Sequence, residues 1–358
     1  MRIFAPFSVT ESNIMTIKNC AALLLSLLLL AACGGKEGAK AIPDSGQDTV
    51  DPKLRALDDL VKKEPSNAEY RYMRAQYFHD AEAFDEAIDD LRQALLLDSL
   101  QPQYYHLMAD VLLDYSRPND SKRAIQILEQ AASLFPEDAL TLLKLSEFNL
   151  IVRQHNNALA ALDQLLRNDP QNAEAFFMSG RIALDMGDTI RAIKAFQKSV
   201  QYDSDLFDAW VFLGRIFAKK NNPIAIQYFD NALRLDTANL QVMEYKAGFF
   251  LNRSEYGKAR DLYRKIILAD PDYSNAYYDL GVMYLRQDSL EQAFQHFGMA
   301  VKTDPLYIRA YYMRGVAAER KGDLEAALRD YTQASRMNAG FEEAAEARER
   351  VERKLKKK

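Results

Sequence analysis

The chain is 358 residues long, 48% apolar and 27% charged, with a formal net charge of −5 at pH 7. This is the make-up of a folded protein and excludes a disordered one. Acidic and basic residues alternate, and no basic stripe of the kind duplex binding demands stands outside the last few residues, so nucleic acid is not an expected partner.

Lys18 precedes Ala21 to Ala32, a run of almost unbroken Leu and Ala. Such a run is too short to cross a bilayer as a helix and has the length of a signal-peptide core. It closes on Leu30-Ala31-Ala32-Cys33, which resembles the bacterial lipoprotein box. The resemblance implies a signal peptide over 1–32, with Cys33 acylated, palmitate included, as the first mature residue. Because Gly34 rather than Asp follows, the resemblance points to the outer membrane of a bacterial cell envelope. The alternative is an ordinary secretory signal that Cys33 happens to follow. Met15 makes a more typical start than Met1, since Met15-Thr16-Ile17-Lys18 supplies the short basic prelude of such signals.

Loss of 1–32 would remove Cys20, leaving no intramolecular disulfide. It would also remove Arg2 and Lys18 against Glu11, one positive charge net, and bring the chain to −6. Several acyl chains hold a protein far more firmly than one. Residues 33–50 then read as the lipidated cysteine and a tether from Gly34 to Val50, without apolar period and with a reach on the order of 20 Å.

Over 51–67, Leu54, Leu57, Leu60 and Val61 before Pro65 form a lone amphipathic helix, an N-terminal half repeat. An alanine followed four residues later by Leu, Phe or Tyr then recurs eight times. The pairs are Ala87/Leu91, Ala124/Leu128, Ala158/Leu162, Ala192/Phe196, Ala225/Phe229, Ala259/Tyr263, Ala293/Phe297 and Ala327/Tyr331. The steps between them are 37, 34, 34, 33, 34, 34 and 34 residues, a period that marks stacked helical hairpins. Within 274–307, Tyr277, Leu280, Gly281 and Tyr284 share one helical stripe, and Ala293, Phe297, Ala300 and Val301 a second, after a polar break at Arg286 to Ser289. Small Gly281 and Ala293 allow close helix approach, and Tyr277 and Phe297 fill the space between hairpins.

Trp210-x-x-Leu213-Gly214-x-x-Phe217 and Tyr277-x-x-Leu280-Gly281-x-x-Tyr284, with the alanine ladder and a closing proline such as Pro305, resemble the tetratricopeptide repeat family. The resemblance implies an all-α fold: a right-handed superhelical solenoid of antiparallel helix pairs, eight repeats over 68–341. Their bounds are about 68–101, 102–138, 139–172, 173–206, 207–239, 240–273, 274–307 and 308–341. Departures are local: an inserted Ser116-Arg117-Pro118-Asn119 turn, a residue lost near Asn222-Pro223, and Ser99, Ser204, Thr237 and Ala339 in place of the closing proline, which should soften those helix ends. Residues 342–358 read as a capping helix with acids early and lysines late, matching the helix dipole. Those lysines form either a solvated end or a basic tip touching an anionic surface.

Signatures of chemistry are missing. The four histidines lie on different repeats, only His79 and His106 could meet, and no metal ligand set follows. Gly34-Gly35-Lys36 lacks the rest of a phosphate loop, and no nucleophile elbow is present. No enzyme, cofactor or small-molecule substrate is expected.

What remains is the concave groove, which in proteins resembling this one is lined by first helices. Carried over residue by residue, that gives Tyr72, Gln76, His79; His106, Asp110; Leu143, Glu147, Leu150; Phe177, Arg181, Leu184; Val211, Arg215; Glu244, Leu251; Tyr278, Leu285; and Tyr312, Glu319. These residues either bind a partner or pack against neighbouring first helices. Arg181 and Arg215 occupy equivalent places and suit a carboxylate held by two donors. The Lys/Asn pattern of chaperone-tail clamps is missing from these edges. The expected function is a membrane-anchored scaffold or adaptor holding a protein partner, in envelope assembly. The alternative is a carbohydrate- or nutrient-binding surface lipoprotein, for which Trp210, expected in a repeat core, offers no stacking platform.

Overall fold

The computed structural model describes residues 51–357; the expected signal peptide 1–32, Cys33 and the tether to residue 50 lie outside the described residues. A lone helix α1 (Pro52–Lys63) opens the array, and eight hairpins follow. They pair α2 (Ala68–Asp80) with α3 (Phe84–Leu97), α4 (Pro102–Tyr115) with α5 (Asp120–Leu134), α6 (Ala139–Ile151) with α7 (His155–Asn168), and α8 (Ala173–Asp185) with α9 (Thr189–Tyr202). The second half pairs α10 (Phe207–Lys219) with α11 (Ala225–Leu235), α12 (Leu240–Asn252) with α13 (Tyr256–Ala269), α14 (Ser274–Arg286) with α15 (Leu290–Thr303), and α16 (Ile308–Lys321) with α17 (Leu324–Met337), before a final α18 (Glu342–Leu355). The all-α solenoid expected from the repeat ladder is the fold observed. Among the described residues no helix is long and apolar enough to cross a membrane.

Each hairpin holds itself together by one interlock. The alanine of the second helix is fully buried, and the Leu, Phe or Tyr one turn later lies against the small residue of the first helix. A Cβ built on Gly180, Gly214, Gly281 or Gly315 would stand 2.5 to 2.8 Å from the ring of Phe196, Phe229, Phe297 or Tyr331. Atoms do not approach so closely, so the ring fills the room a side chain would need. Ala75, Ala109 and Ser146 occupy the same place in the three hairpins whose second helix offers Leu91, Leu128 and Leu162 instead. The volume of the pair is thus kept, larger on one helix where it is smaller on the other. The third hairpin carries a flaw: Ser146 Oγ and Asn149 Oδ1 are buried without a hydrogen-bond partner among the described residues.

First helices end in a left-handed residue in every hairpin. It is the cap itself at Ser116 and Gly322 and the residue after the cap at Glu82, Arg153, Gly187, Asn221, Ser254 and Asp288, with φ between 52° and 89°. In every hairpin but the second the next amide then reaches back over the helix end, as Ala83 N to Phe78 O at 2.8 Å, Gln154 N to Asn149 O at 2.8 Å and Ser289 N to Tyr284 O at 2.9 Å. This six-to-one bond satisfies a carbonyl the helix leaves unpaired.

Four second helices, α3, α9, α11 and α17, stop without a closing proline. Asp98, Asp203 and Asp236 leave the helix in an extended conformation, and each carboxylate accepts the amide two residues on, from Leu100, Asp205 and Ala238 at 2.8 to 3.1 Å. Asn338 does the same with Gly340 at 2.9 Å. The ends at Ser99, Ser204, Thr237 and Ala339 are therefore not softened, because the side-chain turn supplies the stop.

Candidate functional site

The inner wall of the array follows from which helices approach. First helices meet along the stack, α2 with α4, α4 with α6, α6 with α8, α10 with α12, α12 with α14 and α14 with α16, while second helices do not approach one another to the same extent. An array closer together along one edge curves toward it, so first helices form the concave side.

The residues assigned to that groove from the sequence divide when placed. The fifth residue of each first helix tucks between hairpins. Tyr72 packs on Tyr104 at 4.9 Å between ring centres, Phe177 on Phe196 and Phe212 at 5.7 and 5.8 Å, Tyr278 on Tyr307 at 5.1 Å, and Tyr312 on Phe341 at 5.1 Å. Leu143 joins the core around Leu142 and Leu162. His106 is buried, with Nε2 2.7 Å from Thr141 Oγ1, whose hydroxyl donates to Asp138 Oδ2 at 2.6 Å. Burial lowers the His106 pKa, which favours the neutral ring. Leu251 and Leu285 are buried as well. These side chains set the contact between repeats and offer at most an edge to a guest.

The ninth residue is charged in α4, α6, α8 and α10, and most of these charges are paired across repeats; in α14 and α16 it is Val282 and Val316, packed on the core. Asp110 accepts Lys144 Nζ at 2.7 Å, and Glu147 accepts Arg181 Nη1 at 3.0 Å. Among the described residues Arg215 has no carboxylate partner; its guanidinium lies over the rings of Tyr245 and Phe212, 5.2 and 5.9 Å from their centres. Arg181 and Arg215 therefore do not form the two-armed clamp that their equivalent positions suggested.

At α12 the charge ladder breaks. Gly248 takes the ninth place, and the carboxylates around it are held by tyrosines. Tyr273 Oη donates to Glu244 Oε2 at 2.6 Å, and Tyr263 Oη donates to Asp279 Oδ2 at 2.9 Å. Burial, and next the charge of Glu244, push the Asp279 carboxyl up to about 7; burial raises Glu244 too. The sequence points to Glu244 but not to Gly248 or Asp279. The available signal was the pair Ala247-Gly248, two small residues where one satisfies the close helix approach.

At the far end α18 covers the wall of the eighth hairpin. Arg350 donates to Glu319 Oε1 and Oε2 at 3.1 and 2.7 Å, Lys354 to Oε1 at 2.8 Å and Tyr331 to Oε2 at 2.9 Å. Glu319 is thus occupied by the chain itself. Trp210 is half-buried and donates Nε1–H to Ser204 O at 2.8 Å. His79 pairs with Asp114 at 2.8 Å and does not meet His106, and among the described residues no group of three or more potential ligands gathers about a metal position.

Family models described as tetratricopeptide repeat match residues 54–104, 150–205, 177–239, 219–274 and 250–308, and a second of the same description matches 308–341. Among curated proteins, a DnaJ homolog subfamily C member 7 homolog of Dictyostelium discoideum is 25% identical over 282 residues, 71% of this chain and 51% of that protein. Superkiller complex protein 3 of Homo sapiens is 25% identical over 65% of this chain and 16% of its own length. The chain thus spans about half of the first relative and a smaller part of the second. Among solved structures, the C-terminal part of a repeat protein from Cytophaga hutchinsonii superposes with a TM-score of 0.55 at 16% identity, covering 69% of this chain and 99% of that one. A tetratricopeptide repeat protein from Parabacteroides merdae gives 0.51 at 17%, covering 70% and 99%. Both likenesses concern the fold.

Proposed function

We propose, from the premise that the chain belongs to the tetratricopeptide repeat family, that it is a scaffold which holds an extended segment of a protein partner along its first helices. The observation that carries this reading is the open inner wall, whose polar side chains run from repeat to repeat while the second helices complete the hairpins behind it. A continuous curved surface of this kind meets a partner over several repeats at once, the use to which such arrays lend themselves.

We propose further that the protein is tethered to a bacterial membrane through acylated Cys33, in the outer membrane, and serves envelope assembly. Leu30-Ala31-Ala32-Cys33 and the apolar run before it support this reading. Replacement of Cys33 by Ala should release the protein from the membrane fraction or leave it unprocessed. Failure of a labelled fatty acid to mark the unaltered protein would remove the anchor. For the scaffold, the test is capture from an envelope extract. Arg181→Ala with Arg215→Ala should lower recovery of a discrete protein partner while circular dichroism stays unchanged. Recovery unchanged in this variant and in one altered at Asp110 and Lys144 would move the working surface off the inner wall.

A further inference from the structure

The inner wall is charge-paired from Asp110 to Arg181 and again at Glu319, but not around α12 and α14. There Glu244 accepts the Tyr273 hydroxyl and the Asn275 amide, Asp279 accepts the Tyr263 hydroxyl, and among the described residues neither has a cation within ion-pair distance. The nearest basic group in charge terms, Arg286, donates Nη1–H to Leu251 O at 3.1 Å and Nη2–H to Asn252 Oδ1 at 3.4 Å, at the end of α12.

Gly248 supplies the second observation. A glycine inside a helix weakens it relative to alanine, and at Gly180, Gly214, Gly281 and Gly315 an opposing ring demands it. At Gly248 nothing does. A Cβ there would meet only Tyr263 Oη, at 3.9 Å, and the backbone is ordinary helix. Its absence leaves a notch on the wall, at the place where Asp110, Glu147, Arg181 and Arg215 stand in other repeats. The same Tyr263 hydroxyl that borders this notch is bound to Asp279, and Glu244 lies one helical turn before the glycine. Two carboxyls, aromatic surface and free space therefore coincide.

We propose that the notch at Gly248 receives a basic side chain, lysine or arginine, from an extended segment of a partner polypeptide. Glu244 and Asp279 take the cation that the ladder supplies elsewhere from within the chain. Charge complementarity decides the occupant: a cation lets both carboxyls ionise in place, which burial and their mutual repulsion otherwise oppose, whereas an acidic or apolar side chain gives them no such partner. This deepens the scaffold reading and rests on it.

The test uses the full chain and two fluorescein-labelled peptides of the same Ser/Ala/Gly backbone, one with a central Arg-Ala-Arg and one with Glu-Ala-Glu. Fluorescence anisotropy is read at about 0.15 M salt, where exposed charges are screened beyond roughly 8 Å. The arginine peptide should bind roughly tenfold or more tightly than the glutamate peptide. Glu244→Gln with Asp279→Asn should erase that preference. Gly248→Leu should also erase it with the net charge unchanged, and Gly248→Ala should melt no lower than the unaltered protein. Equal affinity for the two peptides, no binding of either, or arginine-peptide binding untouched by Gly248→Leu would overturn the proposal. The scaffold reading stands or falls separately, on partner capture by the wall variants.

Discussion

The ring of Phe297 lies where a side chain on Gly281 would be: a Cβ built on the glycine stands 2.7 Å from both Cδ1 and Cε1. Two effects then compete when Gly281 becomes Ala. Helix propensity favours alanine by about 1 kcal/mol, and the overlap costs about 1–3 kcal/mol because a fully buried ring cannot swing aside. Gly281→Ala should therefore destabilise, and Gly281→Leu more so. Adding Phe297→Leu, which restores the Ala/Leu pairing of the first hairpin, should return part of the loss. Urea unfolding of the four combinations reads this directly; strictly additive effects would show that the two residues do not share the space.

The left-handed turn offers stabilisation at little structural cost. Glu82 and Asp288 hold φ of 58°, which glycine adopts without the penalty a side chain brings. Glu82→Gly and Asp288→Gly should each raise stability by up to about 1 kcal/mol. Unchanged or lower melting temperatures in both would place the controlling interaction in the side chains.

Glu319 couples the last helix to the array. Burial alone would raise its pKa, but bonds from Arg350, Lys354 and Tyr331 outweigh it and hold the carboxyl at about 2. A carboxyl lowered on folding from about 4.3 contributes stability that is complete above that value and lost as pH falls toward the folded one. Glu319→Gln should cost about 1–3 kcal/mol near neutral pH and little in acid, and should open the segment around Arg350 to protease. A proteolysis pattern identical to that of the unaltered protein would refute the coupling.

Asp279 carries the opposite sign. Its carboxyl is raised to about 7 in the fold, against about 3.9 in an unfolded chain. Between those values the folded state binds more protons, so stability should fall as pH rises through that window. Because Glu244 beside it is raised as well, the two carboxyls share this fall. Asp279→Asn should flatten the profile between pH 4 and about 7. A variant whose melting temperatures parallel those of the unaltered protein across this range would exclude Asp279 as the source.

Phe177 shows why the groove was harder to read than the fold. Its place in the first helix suggested an exposed anchor, but the ring sits between Phe196 and Phe212. Phe177→Ala should therefore lower stability by about 1–3 kcal/mol whatever it does to binding. A melt equal to that of the unaltered protein would return the ring to the surface.

The hairpins were legible because Ala293 and Phe297, or Ala87 and Leu91, are close in sequence and repeat as residue types. The turns were not, since Glu82, Arg153, Asn221, Ser254 and Asp288 share a backbone conformation and no side-chain type. Prolines drew attention to helix ends that Asp98 and Asp236 close unaided. Partners on the inner wall lie a full repeat apart and change identity from Asp110–Lys144 to Glu147–Arg181. No local pattern announces such pairs, and only the stacked geometry brings them together.

Each hairpin meets only its neighbours along the stack, so a pull between the two ends is carried in series. The array then behaves as a row of springs: every junction bears the same tension, and the total extension is the sum of small openings. Rupture starts at the weakest link, and the second, third and fourth hairpins, with Asp120 Oδ2, then Ser146 Oγ and Asn149 Oδ1, then Ser199 Oγ unsatisfied in their interiors, are places where opening lets water relieve a standing penalty. The same array would yield under load within its N-terminal half while its last hairpins kept their grip.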